Sequence, residues 1–141
     1  MTVSFPIQFL SALWNLWQSL AAEVGARLRE EAGLDLKEFI VAGYLQDGAA
    51  SPTELAQNMQ MPRYEVSRLL GNLEDKGYAK RTRSHADGRH VNVQLTETGY
   101  AAWERGIATI EVVTEPYLSG LDPARREDLM LTLAGLVRPQ P

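Results

Sequence analysis

The chain has 141 residues, 45% of them hydrophobic, and sets 14 Lys and Arg against 18 Asp and Glu for a formal net charge of -4. That length suits one domain able to bury most of its apolar surface, and with no apolar run long enough to span a bilayer and no basic, apolar leader, a cytoplasmic protein without a membrane partner is expected. The absence of cysteine and the presence of only two histidines exclude a disulfide frame, a thiolate nucleophile and an ordinary zinc site, so neither metal nor cofactor is expected.

In chain order, residues 7 to 31 form a long amphipathic helix in which Leu10, Leu13, Trp14, Trp17, Leu20, Ala21, Val24 and Leu28 recur at three and four. Gly33 ends it. Asp35 is placed to cap a second helix carrying Leu36, Phe39, Ile40, Tyr44 and Leu45, closed by Asp47-Gly48. A third helix begins at Ser51-Pro52-Thr53-Glu54, where serine caps, proline fits the first turn and Glu54 stands three after Ser51 as a capping box requires. Leu55, Ala56 and Met59 face inward, and Gln60-Met61 is a short connection to the next helix.

The fourth helix, from Pro62 to a stop at Gly77, puts Val66, Leu69, Leu70 and Leu73 on one face for burial. Its opposite face collects Arg63, Tyr64, Ser67, Arg68 and Asn72, which can hydrogen-bond to base edges or phosphates and add little to a core. The period then changes. Tyr78 to Ser84 carries Lys80, Arg81 and Arg83, and His90 to Leu95 alternates Val91, Val93 and Leu95 with Asn92 and Gln94, with Asp87-Gly88 between the two runs. From Met61 to His90 there are seven Lys and Arg against four acids, a local +3 that leaves -7 for the remainder. Such a distribution is compatible with a nucleic-acid partner, because affinity depends on the charge near the phosphates.

Thr96 is placed to cap a fifth helix with Tyr100, Trp103, Ile107, Ile110 and Tyr117 on one side and a kink or stop at Pro116. Asp122-Pro123 opens a sixth, with Leu129, Leu133, Leu136 and Val137 on a stripe. The fold class is therefore mainly α with a small β-hairpin wing. A winged helix-turn-helix over residues 35 to 99 is flanked by terminal helices, 1 to 33 and 100 to 141, whose apolar stripes exceed what one small domain can cover. A second copy of the chain is the simplest cover.

The runs Ser51-Pro52-Thr53-Glu54-Leu55-Ala56, Val66-Ser67-Arg68-Leu69-Leu70, Leu73-Glu74-Asp75-Lys76-Gly77-Tyr78 with Arg81, Asp87-Gly88-Arg89 and Leu95-Thr96-Glu97-Thr98-Gly99 together resemble the MarR family of bacterial transcription regulators. Element order extends the resemblance to nearly the whole chain. The resemblance implies a homodimer with interlocked terminal helices, recognition helices in successive major grooves of a pseudo-palindromic operator, and wings in the flanking minor grooves. It implies that Asp87 braces the wing turn, that Arg89 inserts into the minor groove, that Ser67 and Arg68 are recognition-helix positions, and that Ser51 and Thr53 contact phosphate. A small aromatic or lipophilic effector is a further implied partner, with Trp14, Trp17, Tyr44 and Trp103 as candidate lining residues. Two positions depart from the family pattern: Gln60 stands where the turn often has glycine, and Pro62 where a serine or threonine often caps.

Each role has a rival. Arg68 is either a DNA contact or a solvated arginine pairing with Glu65 or Asn72, Lys80, Arg81 and Arg83 are either phosphate contacts or a solvated strand, and the four aromatics are either a pocket or plain core. His85 and His90 are expected as exposed wing residues. The expected function is a sequence-specific, dimeric repressor of transcription. A winged-helix protein-protein interaction module without DNA binding is the alternative, and no nucleophile-base pair, metal cluster or phosphate loop suggests an enzyme.

Overall fold

The computed structural model describes residues 2–83 and 91–138. The helices are α1 (Phe5–Ala32), α2 (Leu36–Leu45), α3 (Pro52–Met59), α4 (Arg63–Asp75), α5 (Glu97–Leu118) and α6 (Pro123–Leu136), with strands β1 (Ala79–Arg83) and β2 (Val91–Leu95) between α4 and α5. Among the described residues no helix is long and apolar enough to cross a membrane. The expected elements all occur in the expected order, with α1 starting two residues earlier than its apolar stripe suggests, under the proline at its second position.

The caps show why the helices begin where they do. Asp35 accepts from the Glu38 amide while the Glu38 carboxylate accepts from the Asp35 amide, a complete capping box on α2. Ser51, Thr96 and Asp122 each accept from the amide three residues on, at the starts of α3, α5 and α6. Gly77, at φ 77°, ends α4 in a Schellman turn: its amide donates to Glu74 O at 2.9 Å and the Tyr78 amide donates to Leu73 O at 2.8 Å. The same turn closes α3, with the Gln60 amide on Gln57 O and the Met61 amide on Ala56 O. There the left-handed position is filled by Gln60, at φ 54°, the one such non-glycine among the described residues.

Pro116 does not stop α5 at its own position: the helix runs two residues further, to Leu118, before turning. So late in the helix the missing amide costs one hydrogen bond, on a turn whose Val112 side chain is exposed. Arg126 then holds the α5–α6 turn, donating to Leu121 O and Leu118 O at 3.0 Å and pairing with Glu115.

The core gathers Val24, Leu28 and Ala32 of α1, Val41 and Leu45 of α2, Leu55 of α3, the apolar row of α4, Val93 and Leu95 of β2, and Ala102 and Val113 of α5. The strands pair antiparallel with Ala79 opposite Leu95 and Arg83 opposite Val91, and Ala50 adds a one-residue bridge to Val93. Gly99 sits so close to this layer that a Cβ there would lie 2.0 Å from the Tyr78 carbonyl oxygen. Polar contacts join α1 to α5: Tyr117 donates to Glu23 Oε2 at 2.7 Å, and Thr109 donates to Glu31 Oε2 at 2.7 Å.

Two outcomes follow from these contacts. Replacing Gln60 with glycine should raise stability by about 0.5–1 kcal/mol, because glycine enters the left-handed region without strain; the check is a higher denaturant midpoint at unchanged slope. The Thr109 hydrogen bond, and then that from Arg27, holds the Glu31 carboxyl below its ordinary 4.5. A depressed folded value means stabilisation present above the ordinary glutamate range and lost as pH falls through the lower folded value. Thr109→Val should therefore be less stable than the parent near neutral pH, with the gap closing in acid; a gap independent of pH would dissociate Glu31 from this contact.

Candidate nucleic-acid interface

Val66, Leu69, Leu70 and Leu73 are wholly buried, which turns the other side of α4 to solvent. Arg63, Tyr64, Ser67 and Arg68 are exposed, Tyr64 to 77%, and Asn72 is half-buried at the edge of the same surface. Arg68 has no ion-pair partner among the described residues. Glu65, the rival partner expected for it, is taken by Lys37 of α2.

Arg63 leans the other way. Its Nη1 donates to Thr53 Oγ1 at 2.7 Å, so it belongs to a concavity of about 440 Å³ lined by Ser51, Pro52, Thr53, Glu54, Arg63, Arg81 and Val91. Ser51 Oγ is committed to its own helix as a cap. Pro52 brings no amide to this first turn and Ser51 takes that of Glu54, which leaves the Thr53 amide without an intrahelical acceptor beside the hydroxyl that accepts from Arg63.

The basic strand is divided by its pleat. Arg81 lies opposite the buried Val93 and reaches Glu74 of α4 at 2.5 Å, whereas Lys80, opposite Gln94, stands on the other face with no ion-pair partner among the described residues. Arg83 is exposed at the end of the ladder. Lys76, which sequence counting places in the basic excess, is turned back into the body: it pairs with the buried Glu38 at 2.5 Å and donates to Gly33 O at 3.0 Å. Asp87 and Arg89, like His85 and His90, lie outside the described residues.

The four aromatics divide as well. Trp14 and Trp17 join Leu10 and Leu13 around an open apolar depression of about 270 Å³ on α1. Tyr44 donates to Asn58 O at 3.4 Å, and Trp103 packs over Gly43 on the partly buried side of α5. The Trp14–Trp17 depression includes neither Tyr44 nor Trp103.

The residues missed in the sequence are those whose partners are far along the chain. Lys37 pairs with Glu65, and Glu38 with Lys76. Only Glu38 left a local signal, as the third helical residue after the Asp35 cap. Ala50 left none, since one residue carries no alternation.

An exposed polar helix set against a preceding helix and followed by a basic two-stranded ribbon is a winged helix-turn-helix, an architecture that places a helix in the DNA major groove. The MarR family model matches residues 32–90. The HTH-type transcriptional repressor MdtR of Bacillus subtilis is 24% identical over 110 residues, 78% of this chain and 71% of that protein. The regulator PrsX of Escherichia coli is 41% identical over 49 residues, 35% of this chain and 30% of its own. Among solved structures, a MarR-family regulator from Rhodococcus superposes with a TM-score of 0.84 at 17% identity, each chain covered to 99%. BpsR of Bordetella bronchiseptica, whose DNA binding is regulated by 6-hydroxynicotinic acid, does so with a TM-score of 0.84 at 23% identity over 99% of this chain and 100% of its own. Over residues 32–90 the chain is similar to MarR-family transcription regulators, and its fold is that of solved structures of such regulators.

Proposed function

We propose that this chain acts in the cytoplasm as a homodimeric repressor that occupies a pseudo-palindromic operator. The observation that carries the proposal is the common outward presentation of Tyr64, Ser67 and Arg68 above a fully buried leucine row. In this reading Tyr64, Ser67, Arg68 and Asn72 face base edges in the major groove. Thr53, Arg63, Arg81, Lys80 and Arg83 serve phosphates, with Ser51 holding the α3 start, and Asp87 and Arg89 serve the minor groove from the wing tip. Arg63 moves from the base-reading set to the phosphate set because its guanidinium is anchored on Thr53.

The second copy is supported by the apolar surface left open. Every residue of α1 from Phe5 to Ser19 is exposed, including Phe9, Leu10, Leu13, Trp14, Leu16 and Trp17. No residue of α6 is buried, although it carries Leu129, Met130, Leu133 and Leu136. Residues 1 to 33 and 100 to 141 would form the paired scaffold around two copies of the 35 to 99 core. Repression is supported by the relative named a repressor. A small aromatic effector is supported by the ligand-regulated BpsR and by the dichlorophenol-bound organohalide-sensing regulator, with the Trp14–Trp17 depression as one wall of its site.

Gel-shift titrations in rising salt test the DNA contacts. Arg68→Ala should cost roughly 1–3 kcal/mol on the operator and relax base preference. Lys80→Ala should weaken all duplexes alike and lower the salt slope by about 1. Affinity indifferent to salt would instead favour a protein-interaction module. For the scaffold, Trp17→Glu combined with Leu133→Glu changes only exposed positions and should yield a folded monomer by sedimentation; a particle still paired would place the dimer contact elsewhere.

A further inference from the structure

The charged contacts of α4 follow a pattern that base reading does not explain. Adjacent residues of α2, Lys37 and Glu38, carry opposite charges, and each pairs with a residue of opposite sign on α4: Lys37 with Glu65 in the first turn, Glu38 with Lys76 at the C-cap. The second pair is partly dry. Glu38 is 2% exposed, and its Oε1 accepts from the Asp35 amide at 3.0 Å and from Lys76 Nζ at 2.5 Å, while the same ammonium donates to Gly33 O at 3.0 Å. Two residues on, the Tyr78 hydroxyl donates to Ala32 O at 3.2 Å. From the other side Thr96 Oγ1 donates to Gly77 O at 2.6 Å, and the Thr96 amide to Tyr78 O at 3.0 Å. Residues 76 to 78 are thus held between the end of α1 and the beginning of α5.

Those two helices pack along each other, and α1 carries much of the apolar surface assigned above to the second copy. In the proposed dimer, residues 76 to 78 would tie the end of α4 to the helices of the paired scaffold. Apolar burial alone defines the angle of α4 loosely, because it is non-directional. Two ion pairs of opposite sense define it sharply: any other register of α4 on α2 separates them or brings like charges together, and leaves the Glu38 carboxylate buried without its counterion. We infer that the Glu38–Lys76 pair, with Lys37–Glu65, positions α4 relative to the dimer axis and so sets the spacing between operator half-sites. Lys76 is then a positioning residue that touches no base. The inference rests on the reading of the chain as a dimer on a two-half-site duplex.

The test uses full-length protein and duplexes in which two half-sites, selected by the wild type from a random pool, are separated by every spacer length over one helical turn. The wild type should favour one spacing. In Glu38→Gln and Lys76→Met the ratio of best to next-best spacing should fall about tenfold, the scale of a lost coupling between two geometries, while base preference within a half-site stays as in the wild type. Lys76→Arg, which keeps the charge, should restore the ratio. Wild-type spacing ratios in both variants would overturn the inference, as would loss of half-site preference together with spacing, the mark of a merely loosened fold. If Lys76→Met does not fold, Glu38→Gln decides, since it keeps side-chain volume and the cap acceptor. A wild type that binds no duplex overturns the operator reading itself, and this inference with it.

Discussion

Four side chains, Val66, Leu69, Leu70 and Leu73, have no exposed surface at all, and their burial decides most of what the protein can do. A helix committed on one face to a close-packed core cannot roll without opening cavities. The opposite face is consequently a fixed surface, and Tyr64, Ser67 and Arg68 are offered on it in a constant arrangement. The capping of α3 and the Schellman turns at Gln60 and Gly77 hold the ends of that arrangement in place. Fold and exposed polar surface are two sides of one packing decision.

Electrostatics refine this frame. The segment that holds the local positive excess spends part of it internally: Lys76 pairs with a buried carboxylate, whereas Arg81, held by Glu74, still lines the concavity at the start of α3. Arg63 is anchored on Thr53. What remains outward is a smaller, better-placed set of cations. Affinity for a polyanion depends on charges able to approach phosphates, so a count along the chain overstates the surface and says nothing of its direction. In an acidic body, this local placement is what the proposed selective contact with DNA would rest on.

The terminal helices obey a different rule. The inner half of α1, through Val24, Leu28 and Ala32, belongs to the core, whereas its outer half and all of α6 project apolar side chains into solvent. Exposed apolar area of this extent calls for a cover. One continuous helix therefore serves two packings, within the chain and, in the proposed dimer, across it. The polar ties of Tyr117 and Thr109 join α5 to α1.

The order of elements, the face of α4 that is buried, the caps at Asp35, Ser51, Thr96 and Asp122 and the stop at Gly77 were all legible in the amino-acid sequence. Each depends on residues within a few positions of one another, where helical spacing and cap chemistry act. The unusual left-handed Gln60 was visible only as a departure from pattern. Tertiary structure alone decided that Glu38 would lie buried against Lys76, that Lys37 would take Glu65 and leave Arg68 without it, and that Arg81 would reach Glu74 of α4. It also decided that Ala50 would bridge Val93 and that Trp14 and Trp17 would stand apart from Tyr44 and Trp103. These outcomes join positions distant in the chain, and the path of the backbone between them, set by the packing of the whole core, is information that no local period or spacing carries.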